Sequence, residues 1–345
     1  MTEQRPVLGL TMGDPAGIGP EIILKSLELL RERVAAGELE LVVVGTASCI
    51  EASARALDLK IELVKDGAPA VWPKVRVIEA AAAQAPVAPG KLSAEAGRLA
   101  FAAIARAVEL AIAGEIDAIV TAPINKEALN AAGHAYAGHT EILAELTGSK
   151  GSCMLLAHDR LKVSHVTTHV ALADVPKRIM PERLRRVFSL THQAMLDLGI
   201  EKPRIGVAAL NPHAGESGLF GREDTDVIAP VIEEFRSRGM TFEGPVPGDT
   251  VFVKALGGQF DAVVAMYHDQ GHVAVKTLGF AMDPATGRMT ALSGVNVTLG
   301  LPIIRTSVDH GTAFDIAGRG IANPQSMLEA IEFALRLAAA RVKRD

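Results

Sequence analysis

Aromatic residues are scarce in this 345-residue chain: ten Phe, two Tyr and one Trp, against 49% hydrophobic residues overall. A core with so few rings must be built from Ala, Val, Leu and Ile, which suits helices stacked on a parallel sheet. Charge of one sign is also in short supply. A formal net charge of −5 gives no reason to expect nucleic acid or an anionic membrane as partner. Only two cysteines occur, Cys49 and Cys153, and they read as buried thiols in a reducing compartment rather than a disulfide. No run of about 18 apolar residues is present, and no charged-then-apolar leader, so the expectation is a soluble, cytoplasmic protein. Internal repeats, low-complexity linkers and a GxGxxG fingerprint are missing too, which argues against an ordinary Rossmann site. The length is comfortable for two domains.

What is present alternates between β and α patterns. Apolar runs predict strands at 7–12, 39–45, 75–80, 117–123, 154–157, 162–170, 204–210 and 262–266. Between them, helices are expected from Glu21 to about Arg33, over 47–58, from a Ser93 cap to Gly114, over 181–198, within 220–239, and from Pro324 to about Val342. Such alternation indicates a doubly wound α/β fold. The first strand runs into GDPAGIGPE (13–21), where glycines permit a tight strand-to-helix turn and the helix start offers free N–H groups to an anion. Taken alone, that loop could equally be a good turn and nothing more. Likewise His139 and Thr140 in YAGHTE could simply cap the helix that follows.

The chemistry concentrates between Asp261 and Pro324 and at two upstream histidines. His169 (VTTHV), His213 (LNPHAG) and His268 (MYHDQG) each follow an apolar strand by a few residues, so all three could converge at one edge of one sheet. Any one of them could be a hydrogen-bonded structural residue. Three imidazoles with an open position form a catalytic site for zinc or a similar divalent ion. His165 and His272 lie near two of them and could be mistaken for them. Lys276, Asn296 and Arg305 are suited to binding an anion, Arg as a bidentate fork and Lys as a point charge. Arg305 lies inside the apolar GLPIIRTSV, where an unpaired charge would be expensive, so ordinary surface charge is a poor account of it.

HGTAFDIAGRGIANP resembles the adenosine-binding loop of the β-decarboxylating dehydrogenases that act on isocitrate and isopropylmalate. From GDPAGIGPE to IANP, with YHDQGH and GVNVTLGLPIIRTSVDHGTAFDIAG, the chain resembles the 4-hydroxythreonine-4-phosphate dehydrogenase (PdxA) family. The resemblance implies an isocitrate/isopropylmalate dehydrogenase-like fold with mainly parallel sheets flanked by helices. The first domain would comprise 1–135 plus 310–345; the second, 136–309, would carry the metal ligands and a homodimer interface, with the active site in the cleft between domains. It implies NAD as cofactor, bound by Gly13, Asp14, Gly17, Gly19, Asn211, His310, Gly311, Thr312, Ala313, Asp315 and Gly318. A divalent metal (Zn, Mg or Co) would sit on His169, His213 and His268. A small phosphorylated hydroxy acid would meet His139, Thr140, Lys276, Asn296 and Arg305. Asp249 and Asp269 are the candidate bases, each able instead to orient a ligand histidine.

The activity implied is NAD-dependent oxidation, with decarboxylation, of 4-hydroxythreonine-4-phosphate to 3-amino-2-oxopropyl phosphate in pyridoxal 5′-phosphate biosynthesis. Relatives acting on 4-phospho-D-threonate or D-erythronate, or on an aromatic cis-dihydrodiol, are the alternatives. A metallohydrolase or acyl/phosphoryl transferase on a similar fold is the alternative of another class, and HGTAFDIAG argues against it. Two features depart from the compact family form. Residues 281–293 are an insertion with a turn-rich tip at DPATGR, and His272 stands where an apolar residue is usual. A hydroxyl at the substrate's second carbon could accept a hydrogen bond from His272, whereas an ammonium there would want a carbonyl or carboxylate.

Overall fold

The computed structural model describes residues 5–64, 70–285 and 289–342. They form two compact units, one from the described residues of 5–149 with 301–342 and one from those of 150–300, so the first and last described segments share one unit.

In the first unit the chain runs β1 (Val7–Thr11), α1 (Gly19–Leu29), α2 (Arg31–Ala35), β2 (Glu40–Gly45), α3 (Ala47–Ala56), β3 (Glu62–Val64), β4 (Lys74–Glu79), α4 (Ala94–Ile112), β5 (Ala118–Thr121), α5 (Lys126–Ala131) and α6 (His139–Leu146). The second unit holds β6 (Cys153–His158), β7 (Leu161–His165), α7 (Val175–Arg178), α8 (Pro181–Asp197), β8 (Arg204–Ala208), α9 (Ala229–Ser237), β9 (Thr241–Val246), α10 (Val251–Leu256), β10 (Ala262–Ala265), α11 (His268–Gly279), β11 (Phe280–Met282), β12 (Met289–Leu292) and β13 (Val295–Leu299). The chain then returns to the first unit as β14 (Ile304–Val308) and α12 (Gln325–Val342).

Strands of the first unit lie in the order β3-β4-β2-β1-β5-β14, and every pairing is parallel. The larger sheet of the second runs β13-β6-β7-β10-β8-β9, with antiparallel pairs at β13–β6 and β6–β7 and parallel pairs elsewhere among the described residues. The α/β class with a mainly parallel sheet is as the alternation predicts. Aliphatic side chains fill both cores. Ile104, Val108, Ile119 and Ile142 pack in the first; Leu156, Val163, Val263 and Val275 pack in the second. The few rings are gathered rather than scattered, Phe188, Phe235 and Phe242 forming one cluster in the second unit with centroids 5.1–5.4 Å apart.

Local signals succeed where the sequence is strongly patterned. Ser93 caps α4 as expected, its hydroxyl accepting from the Ala96 N–H. The helix expected from Glu21 to Arg33 is instead two, α1 and α2, meeting at Leu30, which leaves the α-helical region with ψ near 3°. Around the insertion, β11 and β12 pair antiparallel as a hairpin. Its tip at 286–288 lies outside the described residues.

Candidate active site

β7, β10 and β8 are neighbours and parallel, so their carboxyl ends open on one edge of the second unit's sheet. Open α/β sheets bind ligands outside such ends. The three loops leaving them carry His169, His268 and His213, and hydrogen bonds fasten the loops together. Val166 N–H donates to the Ala265 carbonyl, and both the N–H and the hydroxyl of Thr167 donate to that of Met266. Gln270 accepts from the Met266 N–H at 2.7 Å and donates to the Ala209 carbonyl at 2.7 Å, joining the ends of β10 and β8. Gln270 and Thr167 fasten the loops through strands distant in sequence, which pattern reading does not reach.

The expected strand over 162–170 stops at His165, so His169 sits four residues beyond the strand end on an irregular stretch. There its ring lies 5.9 Å from that of His268. His268 opens α11 with its Nδ1 2.6 Å from Asp269 Oδ1, which leaves Nε2 for a ligand. His213 lines a cavity of about 650 Å³ together with Asp249, Tyr267, Asp269 and Gln270. Among the described residues of this single chain, no group of three or more His, Cys, Asp or Glu side chains is placed to hold a metal ion. Thus the rings of His169 and His268 come together, while His213 shares the lining of a cavity with Asp249 and Asp269.

His272 and His165 stand behind the candidate ligands. The His272 ring stacks on His268 at 3.6 Å and tilts against His165 at 4.8 Å. Its Nδ1 is 3.0 Å from the His268 carbonyl and donates to it, so the other nitrogen of the neutral ring is an acceptor. Burial, then the neighbouring His268, pushes the His272 pKa down to about 4, which keeps the ring neutral. His272, expected to meet a substrate hydroxyl, has its Nδ1 engaged by the His268 carbonyl and its ring stacked on His268. Gly271 makes this packing possible, since a β-carbon there would fall 2.3 Å from His165 Nε2.

The loop that carries His213 has an unusual backbone. His213, Ala214, Gly215, Glu216 and Ser217 all have positive φ, between 43° and 80°, a left-handed turn that β-carbons disfavour. Buried Asp224 holds its base: Oδ1 accepts from the Leu210 N–H, and Oδ2 from the N–H and side-chain amide of Asn211. Asn211 also donates to Glu223, so its amide is engaged within the protein although the residue lines the cavity. The helix expected across 220–239 begins here as a π turn over Asp224–Ile228 before α9. Asp249, expected in a loop, lies on the turn between β9 and α10.

Lys276 lies on α11 with its ammonium 5.1 Å from the Phe280 ring centre. Asn296 is in the middle of β13, its side-chain oxygen buried without a protein partner.

In the first unit Arg305, 3% exposed on β14, donates through Nε and Nη2 to the Thr121 hydroxyl at 3.1 and 2.7 Å. Burial lowers its pKa to about 9. His139 is the first residue of α6 and Thr140 the second; Gly138 holds the cap position, so neither side chain caps the helix. Burial and then the Arg305 charge hold the His139 pKa well below the usual value, and its Nε2 is buried without a partner. Thr121, which anchors Arg305, carried no signal of its own inside the DAIVTAP strand.

The residues expected at a cofactor also assemble in the first unit, Asn211 apart. Gly13 and Asp14 follow β1, and Gly19 opens α1. The Ile18 N–H donates to the Thr312 carbonyl, and Gly17 packs so tightly there that a β-carbon would sit 2.8 Å from that oxygen. Gly311, Ala313, Asp315 and Gly318 continue the same loop. Asp14 is fully buried. Its Oδ1 accepts from the Ala16 N–H, its Oδ2 has no partner, and burial raises its pKa to about 6. The His310 Nε2 is likewise buried and unpartnered. Orphaned polar atoms beside closely approached backbone fit a polar ligand such as a dinucleotide.

Imidazoles and carboxylates at the carboxyl ends of parallel strands, and a glycine-rich loop at a helix start, define an α/β enzyme. Comparison with known proteins narrows the class to a dehydrogenase, an oxidoreductase acting on CH–OH groups. Residues 38–334 match the family model for the pyridoxal phosphate biosynthetic protein PdxA, and the chain belongs to that family. It is 60% identical to a protein of Bradyrhizobium diazoefficiens provisionally named a D-threonate 4-phosphate dehydrogenase, over 96% of each chain. It is 47% identical to the D-threonate 4-phosphate dehydrogenase of Cupriavidus necator, over 99% of this chain and all of that one. The crystal structure of a 4-hydroxythreonine-4-phosphate dehydrogenase from Burkholderia phymatum matches with a TM-score of 0.80 and 44% identity, over 96% of this chain and 98% of that one.

Proposed function

We propose that this chain oxidises D-threonate 4-phosphate with NAD and releases CO₂. The observation that carries the substrate choice is the 60% identity to a relative named for that acid. A carboxylate takes the O–H proton of the alcohol at the third carbon, whose C–H hydrogen would leave as hydride. The resulting β-keto acid then loses CO₂ and takes up a proton, leaving a phosphorylated dihydroxyacetone. Bound NAD would supply the hydride acceptor.

Asp269 is 2.6 Å from His268 Nδ1, which suits it to orienting that imidazole. That leaves Asp249, on the same cavity, as the base. Arg305, Lys276, His139, Thr140 and Asn296 bind the acid's anionic ends and hydroxyls in this reading; the fork of Arg305 suits phosphate or carboxylate. His169, His213 and His268 would hold a divalent ion, and a homodimer would complete the set, since among the described residues one chain groups only part of it. Exposed apolar side chains near the cavity support the homodimer: Val273 and Phe220 are 64% and 49% exposed.

The relatives named for 4-hydroxythreonine-4-phosphate support a second reading, oxidation of that amino acid. NADH absorbance at 340 nm with each acid, with and without a chelator, separates the two. Turnover of neither acid would overturn both.

A further inference from the structure

Beyond the ends of β10 and β8, the Gln270 side chain stands in for a strand ladder. Pairing between the two strands stops at Val264 and Val207, and the chains then part, the Ala209 N–H turning to the Val246 carbonyl on the far side. The Gln270 amide spans the gap that opens. Its oxygen accepts from the Met266 N–H and its nitrogen donates to the Ala209 carbonyl, both at 2.7 Å. Met266 and Ala209 are buried, so without that amide a backbone N–H and a backbone carbonyl would lose a partner that water cannot replace. Few side chains can take this place, because one end must accept and the other donate. The chain opposite is bare at Gly248, where a β-carbon would fall 3.1 Å from Nε2.

The bridge is one link of a longer crossbar. Hydrogen bonds run from Thr167 through Met266 and Gln270 to Ala209, across the exits of β7, β10 and β8 in turn. Each candidate histidine lies a short step beyond: His169 two residues past Thr167, His268 two past Met266 and His213 four past Ala209. Ala209, His213 and Gln270 also line one cavity. With the amide removed, Met266 would keep its bonds from Thr167, whereas Ala209 would lose its tie to β10. The loss would therefore fall on the loop of His213. We infer that Gln270 is a positioning residue, its amide holding the loop of His213 at a set distance from His268. This role rests on the reading above, in which both histidines hold a divalent ion, and adds the group that spaces them. Outer groups that orient metal ligands are worth about 10–100-fold in metal affinity.

Zinc binding to the full chain, measured by competition with a chromogenic chelator well below the melting temperature, tests the role in a double-mutant cycle. The four proteins are the parent, Gln270→Met, His213→Ala and the double variant. Methionine matches glutamine in length and offers neither hydrogen bond. Gln270→Met is expected to weaken zinc at least tenfold on its own, and less than threefold once His213 is alanine, because the ligand it places is then gone. A merely structural role would cost the same in both backgrounds. Equal losses in the two, or no loss in the first, would overturn the role of Gln270 and leave the divalent-ion reading standing. A parent that binds no zinc would overturn that reading and this role together. Should Gln270→Met fail to fold, Gln270→Glu, which still accepts from Met266 but cannot donate to Ala209, takes its place in the cycle with the same outcomes.

Discussion

Asp14 is the residue whose chemistry can be tested most simply. Burial raises its folded pKa to about 6, above the ordinary carboxylate value of 3.8, so the folded protein holds this proton more tightly than the unfolded chain. The contribution to stability is present below about pH 4 and lost as pH rises through 6, a swing of about 3 kcal/mol. Asp14→Asn keeps an oxygen for the Ala16 N–H and removes the charge. It should be more stable than the parent at pH 7.5 by about 2–3 kcal/mol in urea unfolding and no more stable at pH 4. An equal difference at both pH values would mean burial is not the cause. Arg305 gives a second test at this scale. Arg305→Lys retains a cation but loses the fork that meets the Thr121 hydroxyl. An increase of at least 100-fold in KM for the phospho-acid is expected with the urea midpoint little changed; an unchanged KM would place the anion elsewhere.

At the scale of elements, the turn at 213–217 holds five consecutive residues at positive φ, four of them with a β-carbon. A left-handed backbone costs a residue with a β-carbon about 1–2 kcal/mol. Ala214, at φ 54°, should therefore become more stable as glycine, by about 1 kcal/mol in urea unfolding. A destabilised Ala214→Gly would show that the methyl packs rather than strains. The same turn marks where sequence reading stops. Strands such as AVVAM and the Ser93-capped α4 were legible because apolar period and cap chemistry are local. The sequence order also placed His169, His213 and His268 after strands that prove to be neighbours. Asp224 was visible only as part of an acidic helix start, since its partners at 210–211 become known once the loop is folded. The break between α1 and α2 and the short end of β7 had no local signal, because tertiary contacts decide them. Gln270 and Thr121 were hidden for the same reason.

For the whole molecule, the proposed homodimer should sediment at about twice 36.2 kDa when active. His213→Ala and His268→Ala should each lose both bound metal and turnover by orders of magnitude. Mixing the two inactive variants under conditions of subunit exchange should restore part of the activity if one site draws ligands from both copies. An active monomer, or no recovery on mixing once exchange is demonstrated, would contradict a shared site.

The central claim is the substrate, and a comparison of kcat/KM tests it most directly. With NAD saturating, D-threonate 4-phosphate, D-erythronate 4-phosphate and 4-hydroxythreonine-4-phosphate are assayed side by side. A site built to bond one group at the second carbon rejects its replacement strongly, because a buried partner is left unpaired. The account predicts a preference of at least tenfold for D-threonate 4-phosphate over the amino acid. A tenfold preference in the other direction would contradict it.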